Sequence, residues 1–333
     1  MPKSLRVVSF GLGPIGLAAA RLVLQKRSLQ LVGAVDADSA KAGRDLGELL
    51  GREQPLGVPV EADATIALQR LRPDVVLHCT ASALPAVRDQ LLAAIQAGAH
   101  VVSSTEELLV PELQHPLLAK ELDEAAAAAG VVVLGTGVNP GFAMDYLAVI
   151  ASAVALEVRS VKCTRVVDAA TRRLPLQKKV GAGLGKGEFQ KLVDGGGLGH
   201  VGMRESVALV ARGLGFEIDR IEQTVEPVLA PEDHKTPFLT VKEGQVAGLR
   251  NHGYGYVGKQ AVVHLDLSMY VGAPDPRDEI QLDSTPPVHL KFVGGIAGDE
   301  ATAAILVHHV HGVAAARPGL RSVLEVVPPR LCR

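Results

Sequence analysis

Tryptophan is absent from these 333 residues, and aromatic side chains of all kinds make up only 3%. A pocket drawn from so few rings is expected to be aliphatic rather than a stacking platform. Cysteine is scarce too. Cys79, Cys163 and Cys332 match no metal-ligand spacing, and their odd number excludes a complete disulfide framework. That usage fits a reducing compartment, so the chain is read as cytoplasmic. Neither sign of charge dominates: 34 Lys and Arg against 36 Asp and Glu leave a formal net charge of -2. Such a balance gives no electrostatic footprint for DNA, RNA or an anionic membrane, and none of these is expected as a partner. No stretch approaches the roughly 18 uninterrupted apolar residues of a membrane-spanning helix. Lys3 and Arg6 ahead of a mostly apolar run to Ala20 imitate a secretory leader, but a glycine motif and an early strand account for the same residues. No repeat or low-complexity linker is visible, and the length suffices for about two domains with a substantial core.

What is present begins at residues 5 to 16, LRVVSFGLGPIG, a glycine-rich turn between a short apolar strand and an alanine-rich helix. This is the phosphate grip of a dinucleotide-binding unit. Gly11 permits the tight turn, Gly13 lets the backbone approach a pyrophosphate, and Gly16 lets helix and strand pack closely. Pro14 and Ile15 open the helix, whose first N–H groups are free to meet a phosphate. The second strand, 29 to 35, ends at Asp36, about where a ribose-binding acid falls. Asp36 would accept hydrogen bonds from both ribose hydroxyls and repel a 2′-phosphate, which favours NAD. Lys41 and Arg44 follow closely and could turn toward a phosphate, so NADP stays open. A helix cap is the other reading of Asp36.

Continuous apolar runs at 74 to 80, 99 to 104 and 131 to 135 read as strands buried on both faces, and 14 to 26, 84 to 97 and 116 to 129 read as helices between them. The expected fold is α/β, a Rossmann-type doubly wound parallel sheet, plus a second α+β domain with an open, mostly antiparallel sheet. The first domain spans 1 to 150 and the second, for substrate and dimerisation, 151 to 298. Residues 299 to 333 form a helix and tail packing back on the first, with Gly312 weakening the case for one unbroken helix. Within the second domain, 157 to 167 predicts a strand, 172 to 202 a polar glycine-rich segment, and 205 to 213 a helix. A long strand over 260 to 271 is expected beside another at 287 to 293.

Ligands of open α/β sheets bind outside the carboxyl ends of the strands. Thr80, Ala81 and Ser82 end one core strand and would let the cofactor pass. Ser104, Thr105, Glu106 and Glu107 follow the next, where the nicotinamide is expected, and Asn139 after the fifth suits a carboxamide. Glu106 is the candidate catalytic residue: a carboxylate there can deprotonate ammonia and stabilise an iminium cation, whereas an alcohol dehydrogenase needs a proton donor. For Glu107 the better reading is a first-turn helix acid. In the second half, Arg165, Gln177 and their charged neighbours offer a cation for a substrate carboxylate, and His200, between two glycines, could reach a cleft. Phe142, Tyr146 and Met203 are candidate walls of a substrate site expected between the domains. His308, His309 and His311 suggest a metal cluster, yet only two share a helical face, so no metal is expected.

Several blocks together, GLGPIG, VVSSTEEL, GTGVNPGFAMD, RVVDAATRRLPLQKKVGAG, GHVGMRES and GGIAGDEATAAILV, resemble the 2,4-diaminopentanoate dehydrogenases and related native amine dehydrogenases. The resemblance covers nearly the whole chain. It implies a Rossmann domain like that of dihydrodipicolinate reductase, a homodimer formed by the sheet-bearing domain, and NAD(P)-dependent interconversion of an amine with a ketone or aldehyde plus ammonia. The family's catalytic acid/base falls on Glu106, or one residue on at Glu107. His308 stands where many relatives carry asparagine. The blocks do not choose between simple alkyl amines and 2,4-diaminopentanoate-like substrates. The competing enzyme is an imine or aldehyde reductase of the dihydrodipicolinate reductase kind, whose own signature stretch is missing; a third reading is an NAD-sensing protein that has lost its chemistry.

Overall fold

The computed structural model describes residues 4–332. In chain order the first half runs β1 (Leu5–Phe10), α1 (Pro14–Val23), β2 (Leu29–Val35), α2 (Leu46–Leu49), β3 (Val60–Glu61), α3 (Ala64–Leu71), β4 (Val75–His78), α4 (Leu84–Gln96), β5 (His100–Ser103), α5 (Pro116–Ala129) and β6 (Val132–Gly135). There follow α6 (Tyr146–Ala151), β7 (Glu157–Asp168), α7 (Leu174–Lys179), α8 (Lys186–Asp194), α9 (Met203–Leu214) and β8 (Arg220–Leu229). The chain then forms β9 (His234–Lys235), β10 (Thr240–Val241), β11 (Val246–Val257), β12 (Gln260–Tyr270), β13 (Arg277–Thr285), β14 (Val288–Val293), α10 (Gly298–Ala315) and β15 (Gly319–Arg321).

Two compact units result. The first joins residues up to Phe142 to those from Ala297 onward, and the second is Ala143–Ile296. The boundary therefore falls before α6 rather than at residue 150. The first unit holds a seven-stranded sheet in the order β15-β6-β5-β4-β1-β2-β3, with every pairing parallel. β4 and β6 are buried at all four positions, as strands covered by helices on both faces must be. α1 starts at Pro14 after an extended Gly13 and buries Gly16, Ala19, Ala20 and Val23, a stripe of small residues at helical spacing. α5 stops at Gly130, which takes the left-handed conformation a helix end favours. α10 is one unbroken helix in spite of Gly312 and contacts α1 and β4 to β6. After it, β15 extends the sheet alongside β6.

The second unit carries a six-stranded sheet, β14-β13-β7-β12-β11-β8. All its pairs are antiparallel except β12 with β7. One face is covered by α6 and α9, through a core that includes Met144, Ala148, Val207, Val210, Cys163, Val263 and Leu265. Three details depart from expectation. The segment 287 to 293 pairs with β13, not with β12. β13 escapes notice because Arg277, Glu279, Gln281 and Asp283 fill its outward positions while Ile280 and Leu282 point inward. The polar segment from 172 to 202 holds two helices, α7 and α8. No described helix is long and apolar enough to cross a membrane.

Candidate active site

The strand order of the first sheet reverses between β1 and β4, which are neighbours although two strands separate them in sequence. Such a switch point opens a crevice at the strands' carboxyl ends. The glycine turn lies there. Gly11 has φ +87°, and a Cβ on it would strike the Cys79 carbonyl. A Cβ on Gly16 would strike the Gly11 carbonyl oxygen, so the turn and the first helical residues can only nest when both positions lack side chains. Around Gly13 a Cβ would meet open space, and Gly13 caps α1 with no side-chain hydrogen bond. The first N–H groups of α1 are thus left for an anion.

Asp36 caps no helix. Its Oδ2 accepts from the Leu12 N–H at 2.7 Å and from Lys41 Nζ at 2.9 Å, while Oδ1 accepts from the Asp38 N–H at 2.9 Å. Burial works to raise its pKa, but the Asp38 N–H, Lys41 and the Leu12 N–H outweigh it and hold the carboxyl below its ordinary value. Lys41 gains in return, its ammonium pushed up by the hydrogen bond to Asp36. Arg44 instead pairs with Glu48 one turn on.

At the ends of β4 and β5 two loops are laced together. Thr105 Oγ1 donates to the Ala81 carbonyl at 2.9 Å, and the Glu107 N–H donates to the Ser82 carbonyl at 3.2 Å. Glu106 opens a 3-10 turn, Glu106–Leu109, and is half-buried. Its neighbour is committed elsewhere. Glu107 Oε2 accepts from the Leu84 N–H at 2.7 Å, capping α4, and from His115 Nε2 at 3.0 Å. Thr80 is also committed, its hydroxyl donating to Gln90 Oε1 at 2.7 Å. Ser104 hydrogen-bonds to Cys79, whose thiol burial pushes up to about 12. Asn139 precedes Pro140 in a loop anchored by a hydrogen bond from the Val138 N–H to Thr302 of α10. Phe142 is half-buried at the end of this unit.

The other candidates lie in the second unit. Arg165 is buried and its guanidinium is engaged by Asp278 and by the Ile296 carbonyl, 2.5 and 2.8 Å away. It therefore braces the sheet, and its fork is not open to a carboxylate. Gln177 is buried too: its amide donates to the Ala170 and Arg172 carbonyls and accepts from Thr236. That pattern ties a loop and leaves nothing for substrate. Met203 is 1% exposed and packs against Gly253 in the core under the sheet, so it lines no open wall. Tyr146 opens α6 and is buried, which raises its pKa. The His200 N–H donates to Asn251, while its Nε2 is buried without a hydrogen-bond partner among the described residues. Burial lowers the His200 pKa to about 3, helped by the positive charges of Lys179 and Arg165.

Residues 5–136 match the family model for the dihydrodipicolinate reductase N-terminus, and 142–332 match the 2,4-diaminopentanoate dehydrogenase C-terminal domain. The chain is 31% identical to the 2,4-diaminopentanoate dehydrogenase of Acetoanaerobium sticklandii, over 98% of its own length and 95% of that protein. The chain belongs to the 2,4-diaminopentanoate dehydrogenase family. An amine dehydrogenase of Streptomyces virginiae is 28% identical over 65% of this chain and 61% of that protein. The structure of an amine dehydrogenase from Mycobacterium smegmatis superposes with a TM-score of 0.87 at 24% identity, covering 99% of this chain and 98% of that one. The family's C-terminal model starts at residue 142, where the first compact unit gives way to the second, and runs on through α10 and β15 of the first unit.

Sequence reasoning passed over His78, at the end of β4. Its ring is buried and hydrogen-bonded on both nitrogens, to Ser103 and Gln90. The only signal was a histidine inside an otherwise apolar strand.

Proposed function

We propose that this protein is an NAD(P)-dependent amine dehydrogenase, interconverting an amine with a ketone or aldehyde plus ammonia. One observation carries the reading within the family assignment: of two adjacent acids after β5, Glu107 is held by the α4 N-terminus and His115, and Glu106 is the one on which the family's acid/base role falls. Gly11, Gly13, Pro14, Ile15 and Gly16 would hold the pyrophosphate, and Asp36 the adenosine ribose. Thr80, Ala81, Ser82, Ser104, Thr105 and Asn139 would border the nicotinamide. When bound, that ring supplies the site for hydride exchange.

The chain's own contribution is the proton and the charge. In deamination Glu106 takes a proton from the substrate ammonium, freeing the nitrogen lone pair that pushes hydride off the adjacent carbon. Once that proton has passed on to solvent, the Glu106 carboxylate stands beside the C=N⁺ cation and lowers its energy. Glu106 next accepts a proton from the attacking water and hands it to nitrogen, then takes the proton of the new hydroxyl as ammonia leaves and the carbonyl forms. Amination runs the same steps backward.

Asp36 supports a preference for NAD, since a 2′-phosphate would meet a carboxylate held in its charged form. Incubation with ammonium and a panel of aliphatic ketones and aldehydes, followed by nicotinamide absorbance, tests both points. Turnover that requires ammonium and is faster with NADH than with NADPH is expected. Oxidation without ammonium would instead favour a carbonyl or imine reductase, which the N-terminal family match keeps in view. Carriage of three free cysteines is in keeping with our placing it in the cytoplasm.

We further propose a homodimer through the sheet face opposite α6 and α9. That face mixes Tyr254, stacked on His264, with Lys162, Glu222, Glu279 and Lys291, so its charges can complement those of a second copy. Six strands about 4.8 Å apart present roughly 900 Å², close to the ~800 Å² per partner of a stable interface. Light scattering should give twice the chain mass, and Tyr254→Glu, placed mid-face, should halve it; a wild-type monomer would refute the dimer.

A further inference from the structure

The strand end beneath Glu106 contains a polar chain that packing alone does not require. His78 is 1% exposed, and Ser103 and Thr105 are as deeply buried. The His78 ring stands edge-on to Phe10 with centroids 5.3 Å apart. Its Nε2 lies 2.8 Å from Gln90 Oε1 and 3.0 Å from Thr80 Oγ1, and its Nδ1 lies 2.9 Å from Ser103 Oγ. Nδ1 and Ser103 Oγ share one hydrogen bond, and the Ser103 hydroxyl donates onward to Thr105 Oγ1 at 3.0 Å, so ring and hydroxyls form one connected network. Ser103 Oγ in turn accepts the Thr105 N–H at 3.1 Å, and Thr105 Oγ1 reaches the Ala81 carbonyl. Glu106 thus follows a residue whose backbone and hydroxyl are both fixed, and precedes one fixed by Ser82 and Leu84.

We propose that His78 is a positioning residue for Glu106, acting through Ser103 and Thr105 to set the start of the 3-10 turn on which the acid rides. A leucine of similar size would fill the same space without desolvating an imidazole, so the ring's polar bonds are what distinguish it. The inference rests on the amine dehydrogenase reading for its kinetic consequence, though not for its structural one.

The test compares His78→Leu, His78→Asn, His78→Gln and Ser103→Ala. The asparagine amide reaches the place of Nδ1 and can serve Ser103; the glutamine amide reaches toward Nε2 and cannot. Misplacement of a reacting group by a fraction of an ångström to 1 Å is worth up to about 100-fold, so His78→Leu, His78→Gln and Ser103→Ala should each lower kcat roughly 10- to 100-fold with KM for the nicotinamide coenzyme within about twofold. His78→Asn should recover to within about threefold of wild type. Amide exchange over residues 103–109, which needs no substrate, should be faster in the first three variants and restored in His78→Asn. Ser103→Ala, a small change, stands in should His78→Leu not fold. Wild-type exchange over 103–109 in Ser103→Ala, or equal behaviour of the Asn and Gln variants, would overturn the role of His78. Lack of ammonium-dependent turnover in the wild type would overturn the amine reading instead, with the exchange data still deciding His78.

Discussion

Glu106→Gln is expected to lose about a thousandfold in kcat while binding NADH within about twofold of wild type, because general acid/base transfer and charge stabilisation disappear together and the dinucleotide grip is untouched. Gln keeps the shape and removes both the negative charge and the basicity. The matched control is Glu107→Gln. An amide oxygen still accepts from the Leu84 N–H, so kcat should stay within a few fold, and Glu107→Ala should instead cost about 1 kcal/mol of stability through the lost α4 cap. Stopped-flow or steady-state kinetics with fluorescence titration of NADH would measure all three. A Glu106→Gln enzyme that deaminates at near wild-type rate, or a dead Glu107→Gln with intact folding, would move the chemistry off Glu106.

The second large effect is a loss of stability in mild acid. Burial lowers His78 to about 4 and His309 to about 4, and His200 falls to about 3 through burial and nearby cations. An unfolded chain takes up these protons near pH 6.5, and the folded one refuses them until pH 4 or below. The unfolded state therefore binds more protons throughout that window. Stability is fully present above pH 6.5 and falls as the pH drops toward 4, by up to about 4 kcal/mol per pH unit if all three act together. Down to pH 4 that sums to about 9 kcal/mol, comparable to a typical total of about 5–15 kcal/mol, so most of the stability is expected to be lost by pH 4. Urea midpoints at pH 7.5, 6 and 5 would show the decline. His309 offers a direct check, since both ring nitrogens are buried with no hydrogen-bond partner among the described residues. His309→Leu should raise the midpoint at pH 5 and flatten the slope by about a third. A midpoint independent of pH between 7.5 and 5 would show that these rings do not control acid stability.

How far the sequence was legible varied by element, for physical reasons. The parallel sheet could be read because strands buried on both faces need unbroken apolar runs, such as 75 to 78 and 132 to 135. Tight turns need glycine, which marked residues 11 to 16. β13 was lost because alternate charges on a half-exposed strand resemble a loop, and α7 and α8 because they are short and polar. Boundaries slipped by a few residues for the same reason: apolar content does not stop where hydrogen bonding does.

For the site, the sequence by itself determined which residue types were available at the strand ends: the glycine turn, Asp36 closing the second strand, and a pair of acids just after the run at 99 to 104. Those follow from local rules, namely φ angles only glycine tolerates and chemistry only a carboxylate performs. Tertiary structure alone decided how each side chain is used. Arg165, Gln177 and Met203 looked available and are taken by Asp278, Thr236 and the core. Glu107 was separated from Glu106 by the α4 N-terminus and His115, groups 23 residues before it and eight after it in sequence. A hydrogen bond or a core contact is settled by whichever partner the fold delivers, and no window along the chain contains that partner.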